Sequence, residues 1–177
     1  MKMKILMSLL FLEVLSLQIL QVNAQHPVFN LVKPPTENNN WVRANCINQD
    51  QYGFMWFGTR QGLHRFDGKN YISYYHDPED SASISSNWIN CLVISKSGKM
   101  WVGFYDGGLD CFDPVTQTFK HYKHNPEETL SLANNSVASL LEDKDGKLWV
   151  GTHGGLDLFH YRSAILVQIA VVHEKGK

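Results

Sequence analysis

The amino-acid sequence predicts an all-β protein built of repeated four-stranded units, and three observations support this. Aromatic residues make up 12% of the 177 residues and glycine occurs 13 times, a composition that favours many short strands. A motif with Trp and Gly at fixed spacing recurs three times, with its tryptophans 45 and then 48 residues apart. Between these tryptophans, apolar and polar residues alternate in short runs bounded by Gly, Asp, Asn or Pro, as in strands joined by turns.

Residues 1–24 are predicted to be a secretory signal peptide. Residues 1–4 carry two lysines, residues 5–20 are mostly apolar, and small or aliphatic residues lead to Ala24, which is the order of an export signal. Glu13 and Gln18 interrupt the apolar run, and a membrane-spanning helix needs about 20 predominantly apolar residues. The mature chain, residues 25–177, is therefore expected to be exported and to contain no membrane span.

The repeat predicts β-propeller blades. Its copies start with residues 53–59, 98–104 and 146–152, each with Trp as the fourth residue, and each is followed by a Gly-Leu pair. The second copy contains four strand-like runs, at residues 88–94, 99–104, 108–112 and 118–122. Four short strands in a period of about 40 to 50 residues is the pattern of a propeller blade. The Trp of the second strand is expected to lie between neighbouring sheets, where its large apolar area is buried.

Three blades are predicted, with a short segment before them and a tail after them. The expected boundaries are residues 25–40 for an N-terminal strand and linker, 41–79 for blade 1, 80–127 for blade 2, 128–172 for blade 3 and 173–177 for the tail. Blade 3 is expected to be incomplete or atypical, because residues 164–172 are apolar but lack the Phe-x-x-Tyr pattern of residues 119–122. This run is either a makeshift last strand or the product of a frameshift.

The number of blades implies an incomplete ring. A closed propeller has about four to eight blades, so a truncated gene or an assembly boundary is the favoured explanation for three. Open strand edges invite pairing with other chains. We therefore expect self-association through the open blade edges.

These motifs resemble the two-component regulator propeller repeat. The resemblance is carried by Trp-Phe-Gly-Thr at residues 56–59, Gly-Leu at 62–63 and Arg-Phe-Asp-Gly at 65–68, with counterparts in the other copies, and it covers residues 28 to about 161. The departures are Phe104, where the family has Thr, and two extra residues between Asn40 and Cys46. The resemblance implies the periplasmic sensor region of a hybrid two-component histidine kinase that senses carbohydrates, as in Bacteroidetes. Its kinase and DNA-binding parts would lie outside this chain, and the full protein would sit in the inner membrane.

Several classes of function are disfavoured. The net charge of −1 lacks the basic surface that nucleic-acid binding needs. The three cysteines, Cys46, Cys91 and Cys111, are odd in number and lack zinc-ligand spacing, so small buried side chains are expected instead of a disulfide framework. Residues 143–146 resemble part of a calcium loop, but the equivalent turn at 95–98 has no carboxylate. No metal, cofactor or catalytic residue is therefore predicted, and the chain is not expected to be an enzyme.

Candidate ligand-binding residues lie where the second strand of a blade turns into the third and where one blade leads into the next, since both connections emerge on one face of a propeller. They are Trp41, Arg43, Arg60, Gln61, Asn87, Trp88, Tyr105, Asp106 and His153. Trp41 and Trp88 are expected to occupy equivalent positions in their repeats. Planar rings and forked hydrogen-bond donors suit a saccharide, and the alternative is that these residues are simply solvated loop tips.

Two functional hypotheses follow. The first is a fragment of a periplasmic sensor propeller of a hybrid two-component regulator, which binds a saccharide directly or relays a signal through a dimer. The alternative is a stand-alone secreted binding protein whose three blades complete a ring by oligomerising, since two chains would supply a number of blades within the usual range.

Overall fold

The computed structural model describes residues 43–160 and 165–169, and within them it contains twelve strands and no helix. Blade 1 consists of β1 (Ala44–Gln49), β2 (Met55–Thr59), β3 (Gly62–Phe66) and β4 (Tyr71–Tyr74). Blade 2 consists of β5 (Ile89–Ile94), β6 (Met100–Phe104), β7 (Leu109–Asp113) and β8 (Thr118–Tyr122). Blade 3 consists of β9 (Val137–Glu142), β10 (Leu148–Thr152), β11 (Gly155–His160) and β12 (Ile165–Ile169).

Each blade is one antiparallel sheet whose strands pair in chain order. Three four-stranded sheets confirm the predicted all-β fold of propeller blades, and blade 3 has four strands where an incomplete or atypical blade was expected. The apolar run at the end of blade 3 supplies the fourth strand, since Ile165–Ile169 pairs in register with β11. The predicted signal peptide, the segment 25–40 and the tail 173–177 lie outside the described residues. No helix in the described part is long and apolar enough to cross a membrane.

Two apolar cores lie between neighbouring blades. In the first, Trp56 and Leu63 of blade 1 pack against blade 2, and in the second Trp101 of blade 2 packs against blade 3. The ring of Trp56 lies 5.5 Å from that of Phe112, and the ring of Trp101 lies 4.6 Å from that of Phe159. Both tryptophans are almost fully buried, as predicted for the second strand, and burying a large apolar side chain contributes about 1.5 to 3 kcal/mol.

Glycine in the second strand lets the next blade approach closely. A Cβ on Gly58 would lie 2.5 Å from Ile89 Cγ2, and one on Gly103 would lie 2.6 Å from Val137 Cγ1. Real Cβ atoms do not come this close to other carbon atoms. The first strand of each following blade therefore inserts a β-branched side chain at a place where only glycine leaves room.

An amide reinforces each of these contacts. Asn45 Nδ2 donates to the carbonyl of Ile89 at 2.7 Å, and Asn90 Nδ2 donates to the carbonyl of Val137 at 3.0 Å. Each bond links two sheets that share no backbone ladder. Asn45 and Asn90 precede Cys46 and Cys91, so the same device recurs in both repeats.

The cysteines are free thiols in the described structure. Burial raises the pKa of Cys46 and of Cys91 to about 12 and that of Cys111 to about 11. Such thiols stay protonated at neutral pH and are poor nucleophiles. Cys111 is buried as the sequence predicts, whereas Cys46 and Cys91 are partly buried.

Candidate functional site

The turns between the second and third strands lie beside the connections into the next blade. The backbone N–H of Gly62 donates to the carbonyl of Asn87 at 2.8 Å, and that of Gly108 donates to the carbonyl of Asn135 at 2.9 Å. Each bond ties a turn of one blade to the segment that leads into the following blade. The candidate residues of blade 1 and blade 2 are thereby brought to one end of the two sheets.

Three side chains from this end form a continuous stack. The rings of Trp88 and Tyr105 are parallel to within 16° with centroids 4.2 Å apart, and the guanidinium carbon of Arg60 lies 4.5 Å from the centroid of Trp88. Cation–π and ring-stacking contacts of this geometry are each favourable by about 0.5 to 1.5 kcal/mol. Trp88 therefore contacts both Arg60 and Tyr105, whereas Tyr105 is 45% exposed and presents the accessible ring.

A carboxylate stands next to the exposed ring. Ser86 Oγ donates to Asp106 Oδ1 at 3.0 Å and accepts a hydrogen bond from the backbone N–H of Trp88 at 3.2 Å. The backbone N–H of Tyr105 in turn donates to the carbonyl of Trp88 at 3.0 Å. One oxygen of Asp106 is thus held in place, and no described residue forms a hydrogen bond with the other.

The remaining candidates do not join this cluster. Asn87 Oδ1 accepts from the backbone N–H of His76 at 2.8 Å, and Asn135 does the same for His124 at 2.7 Å. Because the same hydrogen bond recurs in both repeats, Asn87 helps to hold the segment between two blades and is not a candidate for ligand binding. The other candidates are dispersed: Gln61 and Arg43 are exposed in blade 1, and His153 is exposed in blade 3.

Trp41 lies outside the described residues, but the strand register corrects its expected equivalence with Trp88. Ala44 pairs with Thr59 as Ile89 pairs with Phe104. The residue before Ala44 is Arg43 and the residue before Ile89 is Trp88, so Arg43 takes the place of Trp88 in blade 1.

A buried polar network near blade 2 was not predicted from the sequence. Asp110, fully buried, accepts hydrogen bonds from Ser85 Oγ at 2.7 Å, from Ser85 N at 2.8 Å and from His121 Nδ1 at 2.7 Å. The hydrogen bond to Asp110 raises the pKa of His121. Its other ring nitrogen contacts the carbonyl of Ser81 at 3.0 Å. The only signal in the sequence was a charged residue at 110 between two apolar ones.

The Ser-His-Asp composition of this network does not form a nucleophilic centre. Ser85 Oγ donates directly to the carboxylate and lies 2.9 Å from the same histidine nitrogen that contacts Asp110. In a serine nucleophile the histidine contacts the hydroxyl and the acid through opposite ring nitrogens. The network instead ties the segment leading into blade 2 to strands β7 and β8.

A cavity of about 590 Å³ lies away from the stacked cluster, at the rim between blades 2 and 3. It is lined by His121, Lys123, Glu127, Glu128 and Leu166, among others. Both ring nitrogens of His121 are engaged in the network above, so this histidine is not available to a ligand. The smaller cluster of Tyr105 and Asp106 combines a free ring with a free carboxylate oxygen and is the better candidate.

Comparison with known proteins identifies the repeats. The family model of the two component regulator propeller matches residues 36–61 and 131–154, which confirms the resemblance drawn from the motifs. Histidine kinase P4 of Formosa agariphila is 54% identical over 39 residues, which are 22% of this chain and 3% of that protein.

Two solved structures are also similar to this chain. The extracellular domain assigned to a hybrid two-component system of B. thetaiotaomicron is 31% identical, with a TM-score of 0.68 over 74% of this chain and 18% of that chain. Virginiamycin B lyase from Staphylococcus aureus is 10% identical with a TM-score of 0.56, over 78% of this chain and 43% of that chain, a likeness of fold alone. The chain spans less than a fifth of the length of the kinase and of the two-component domain.

Proposed function

Because the chain carries two-component regulator propeller repeats, we propose that it is part of the extracellular sensor region of a hybrid two-component regulator. The similarity to an extracellular domain of such a system supports this. In this proposal the chain is exported to the periplasm, catalysis and DNA binding belong to other parts of the regulator, and the blades provide a surface that a ligand occupies.

We further propose that the ligand is a saccharide and that it binds on Tyr105 and Asp106. The observation that carries this is the accessible Tyr105 ring beside a carboxylate with one free oxygen. The C–H face of a pyranose packs on an aromatic ring, and its hydroxyls donate to a carboxylate. Trp88 backs the ring and Ser86 holds the carboxylate, so little side-chain freedom remains to be lost on binding.

The test is isothermal titration of the purified chain with neutral and uronic-acid oligosaccharides. Replacement of a central aromatic contact commonly costs 2 kcal/mol or more, so Tyr105→Ala is expected to weaken binding by about thirtyfold. Asp106→Asn keeps the shape, removes one charged acceptor and is expected to weaken binding by about tenfold.

The matched control is Tyr52→Ala. Tyr52 is 66% exposed and lies in the turn between β1 and β2 of blade 1, whereas Tyr105 lies in the turn between β6 and β7 of blade 2. Its replacement is expected to leave binding unchanged. Equal affinity of the parent and Tyr105→Ala, or no binding by any member of the panel, would contradict the saccharide assignment.

A further inference from the structure

An indole links blades 1 and 2 at the end of the sheets that carries the candidate site. We call Arg60, Trp88 and Tyr105 the first junction. Trp88 is the residue before β5, Arg60 comes from the turn of blade 1, and Tyr105 comes from the turn of blade 2. The guanidinium carbon of Arg60 lies 4.5 Å from the indole centroid, and the Tyr105 ring lies 4.2 Å from it. One large side chain therefore joins the turns of two neighbouring blades.

The second junction, between blades 2 and 3, repeats this backbone without the indole. Its equivalent residues are Tyr105, Ser136 and His153, which we define as the second junction. The backbone N–H of His153 donates to the carbonyl of Ser136 at 3.0 Å, as that of Tyr105 donates to the carbonyl of Trp88 at 3.0 Å. A serine side chain is much smaller than an indole. By this equivalence, the second junction leaves open the place that Trp88 takes in the first.

The two residues on either side of that place are accessible. Tyr105 is 45% exposed, and among the described residues its ring contacts only that of Trp88. His153 is exposed as well. Each of them therefore offers a planar group to a ligand.

The turn of blade 2 also departs from the repeat here. The turns of blades 1 and 3 place two residues between the paired Thr and Gly, whereas that of blade 2 places three between Phe104 and Gly108, whose backbone groups are hydrogen-bonded. Asp106 belongs to this longer turn, and one of its oxygens forms no hydrogen bond with a described residue. The departure thus places a carboxylate next to Tyr105, as expected when loops carry function on a common scaffold.

We propose that a pyranose ring of the ligand occupies, in the second junction, the place that the indole of Trp88 occupies in the first. The sugar packs on Tyr105 with one face and on His153 with the other. This inference rests on the proposed function, which places a saccharide on Tyr105 and Asp106, and it adds His153 as a second wall. Ser136 is the residue that leaves room for the sugar.

Packing on both faces determines which sugars fit. An equatorial hydroxyl points outward from the edge of a pyranose, whereas an axial hydroxyl projects from one face. A pyranose with only equatorial hydroxyls presents C–H groups to both walls, and the hydroxyls at its edge can donate to Asp106. The site therefore selects glucose-configured units over mannose and galactose, which carry an axial hydroxyl at C2 and at C4, respectively.

The first test compares three matched oligosaccharides on the purified parent chain by isothermal titration: cellotetraose and the β-1,4-linked tetraoses of mannose and of galactose. Cellotetraose is expected to bind about tenfold more tightly than the other two, because the axial hydroxyl of each competitor meets a wall. Equal affinity for all three, or tighter binding of a competitor, would overturn the inference.

The second test fills the open place with the side chain that fills the first junction. Ser136→Trp is expected to abolish measurable binding of cellotetraose, and His153→Ala, which removes one wall, is expected to weaken it about tenfold. Val115→Trp is the control. It adds the same ring at an 86% exposed residue of the turn between β7 and β8, at the other end of β7 from the turn with Tyr105, and should bind like the parent.

The outcomes separate this inference from the proposed function. If Ser136→Trp folds, as judged by circular dichroism, and binds like the parent while Tyr105→Ala weakens binding, the saccharide site stands and the second wall is wrong. If the parent binds none of the saccharides, both fail. The comparison of sugars needs only the parent chain, so it decides the inference even where Ser136→Trp does not fold.

Discussion

Blades 1 and 2 have a histidine and an aspartate, respectively, at the same buried position of the third strand. His64 pairs with Ser73 across β3 and β4, and Asp110 pairs with His121 across β7 and β8. In blade 1 the histidine is inside, its Nδ1 is 2.8 Å from Ser73 Oγ, and burial lowers its pKa. In blade 2 the acid is inside, and the hydrogen bond with it raises the pKa of His121 on the outer strand.

The difference shows that this position requires a satisfied polar group and not a particular charge. A neutral imidazole with a hydroxyl partner and a carboxylate with a histidine and a serine both meet that requirement. Blade 3 meets it less completely. Asp157 accepts from the backbone N–H of Ala133 at 3.1 Å, but its Oδ1 has no partner among the described residues, and burial raises the pKa of this carboxyl.

The largest expected effect comes from removing the acid of blade 2. Asp110→Ala leaves His121, the Ser85 hydroxyl and the Ser85 N–H without their acceptor, and breaking a buried charged pair costs about 3 to 5 kcal/mol of unfolding free energy. Urea denaturation measures the loss. Asp145→Ala, at an exposed carboxylate of blade 3, is the control and should change stability by less than about 0.5 kcal/mol. An equal, small effect of both substitutions would show that the network contributes little.

A smaller effect is expected at the glycines of the second strands. Gly58→Ala drives a methyl group against Ile89 of blade 2, and overpacking of this kind costs about 1 to 3 kcal/mol. Gly151→Ala meets only the hydroxyl of Ser139, which can rotate away, and should cost less than half as much. Thermal denaturation of the two variants tests this. A larger loss for Gly151→Ala would show that the contact with Ile89 does not decide the cost at Gly58.

The serine that binds the buried aspartate of blade 2 should also stabilise blade 3. Ala133 takes the place of Ser85, since each donates its backbone N–H to the buried aspartate. Ala133→Ser should supply a hydroxyl to Asp157 Oδ1 and stabilise the chain by about 1 kcal/mol. The reverse change, Ser85→Ala, should destabilise it by a similar amount. Calorimetry measures the unfolding of both variants. A destabilising Ala133→Ser would mean that a serine cannot bind the buried aspartate of blade 3 as it does in blade 2.

The smallest effect is on pH dependence, where the two histidines act in opposite directions. The pKa of His64 is lowered from 6.5, so the unfolded chain binds its proton more readily and stability falls as the pH drops below that value. The pKa of His121 is raised from 6.5, so its contribution is fully present below 6.5 and is lost as the pH rises through the folded-state pKa.

Denaturation midpoints measured across this pH range separate the two. His64→Gln should remove the loss on the acid side, and His121→Gln should remove the decline toward alkaline pH. His153→Gln, at an exposed histidine outside both networks, should leave the profile as in the parent. A His121→Gln profile that still declines above 6.5 would assign the decline to another group.

Much of the fold was predictable because blade formation depends on neighbours in the chain. Each strand pairs with the next one through a short turn, so alternation, glycine turns and the recurring Trp indicate four-stranded sheets. The last strand was harder to predict. Ile165–Ile169 lacks the aromatic pattern of earlier blades, and its pairing with β11 depends on backbone hydrogen bonds that any apolar run can make.

The candidate site was predictable only in outline. Loop position alone selected Arg60, Trp88, Tyr105 and Asp106, which the structure brings together, but also Asn87, which serves the framework. The sequence did not show that Trp88 would contact both Arg60 and Tyr105. That outcome depends on how closely the turn of blade 1 approaches blade 2.

The sequence by itself determined the repeat, the strands and the tryptophans that pack between neighbouring blades, because these follow from spacing along the chain. Only the tertiary structure decided which side chains share a network. Ser85, Asp110 and His121 are separated by up to 36 residues, and their contact requires the correct strand register and the return of the segment before β5 onto the sheet. Spacing within one strand records which residues face inward, but not which residue of another segment will face them.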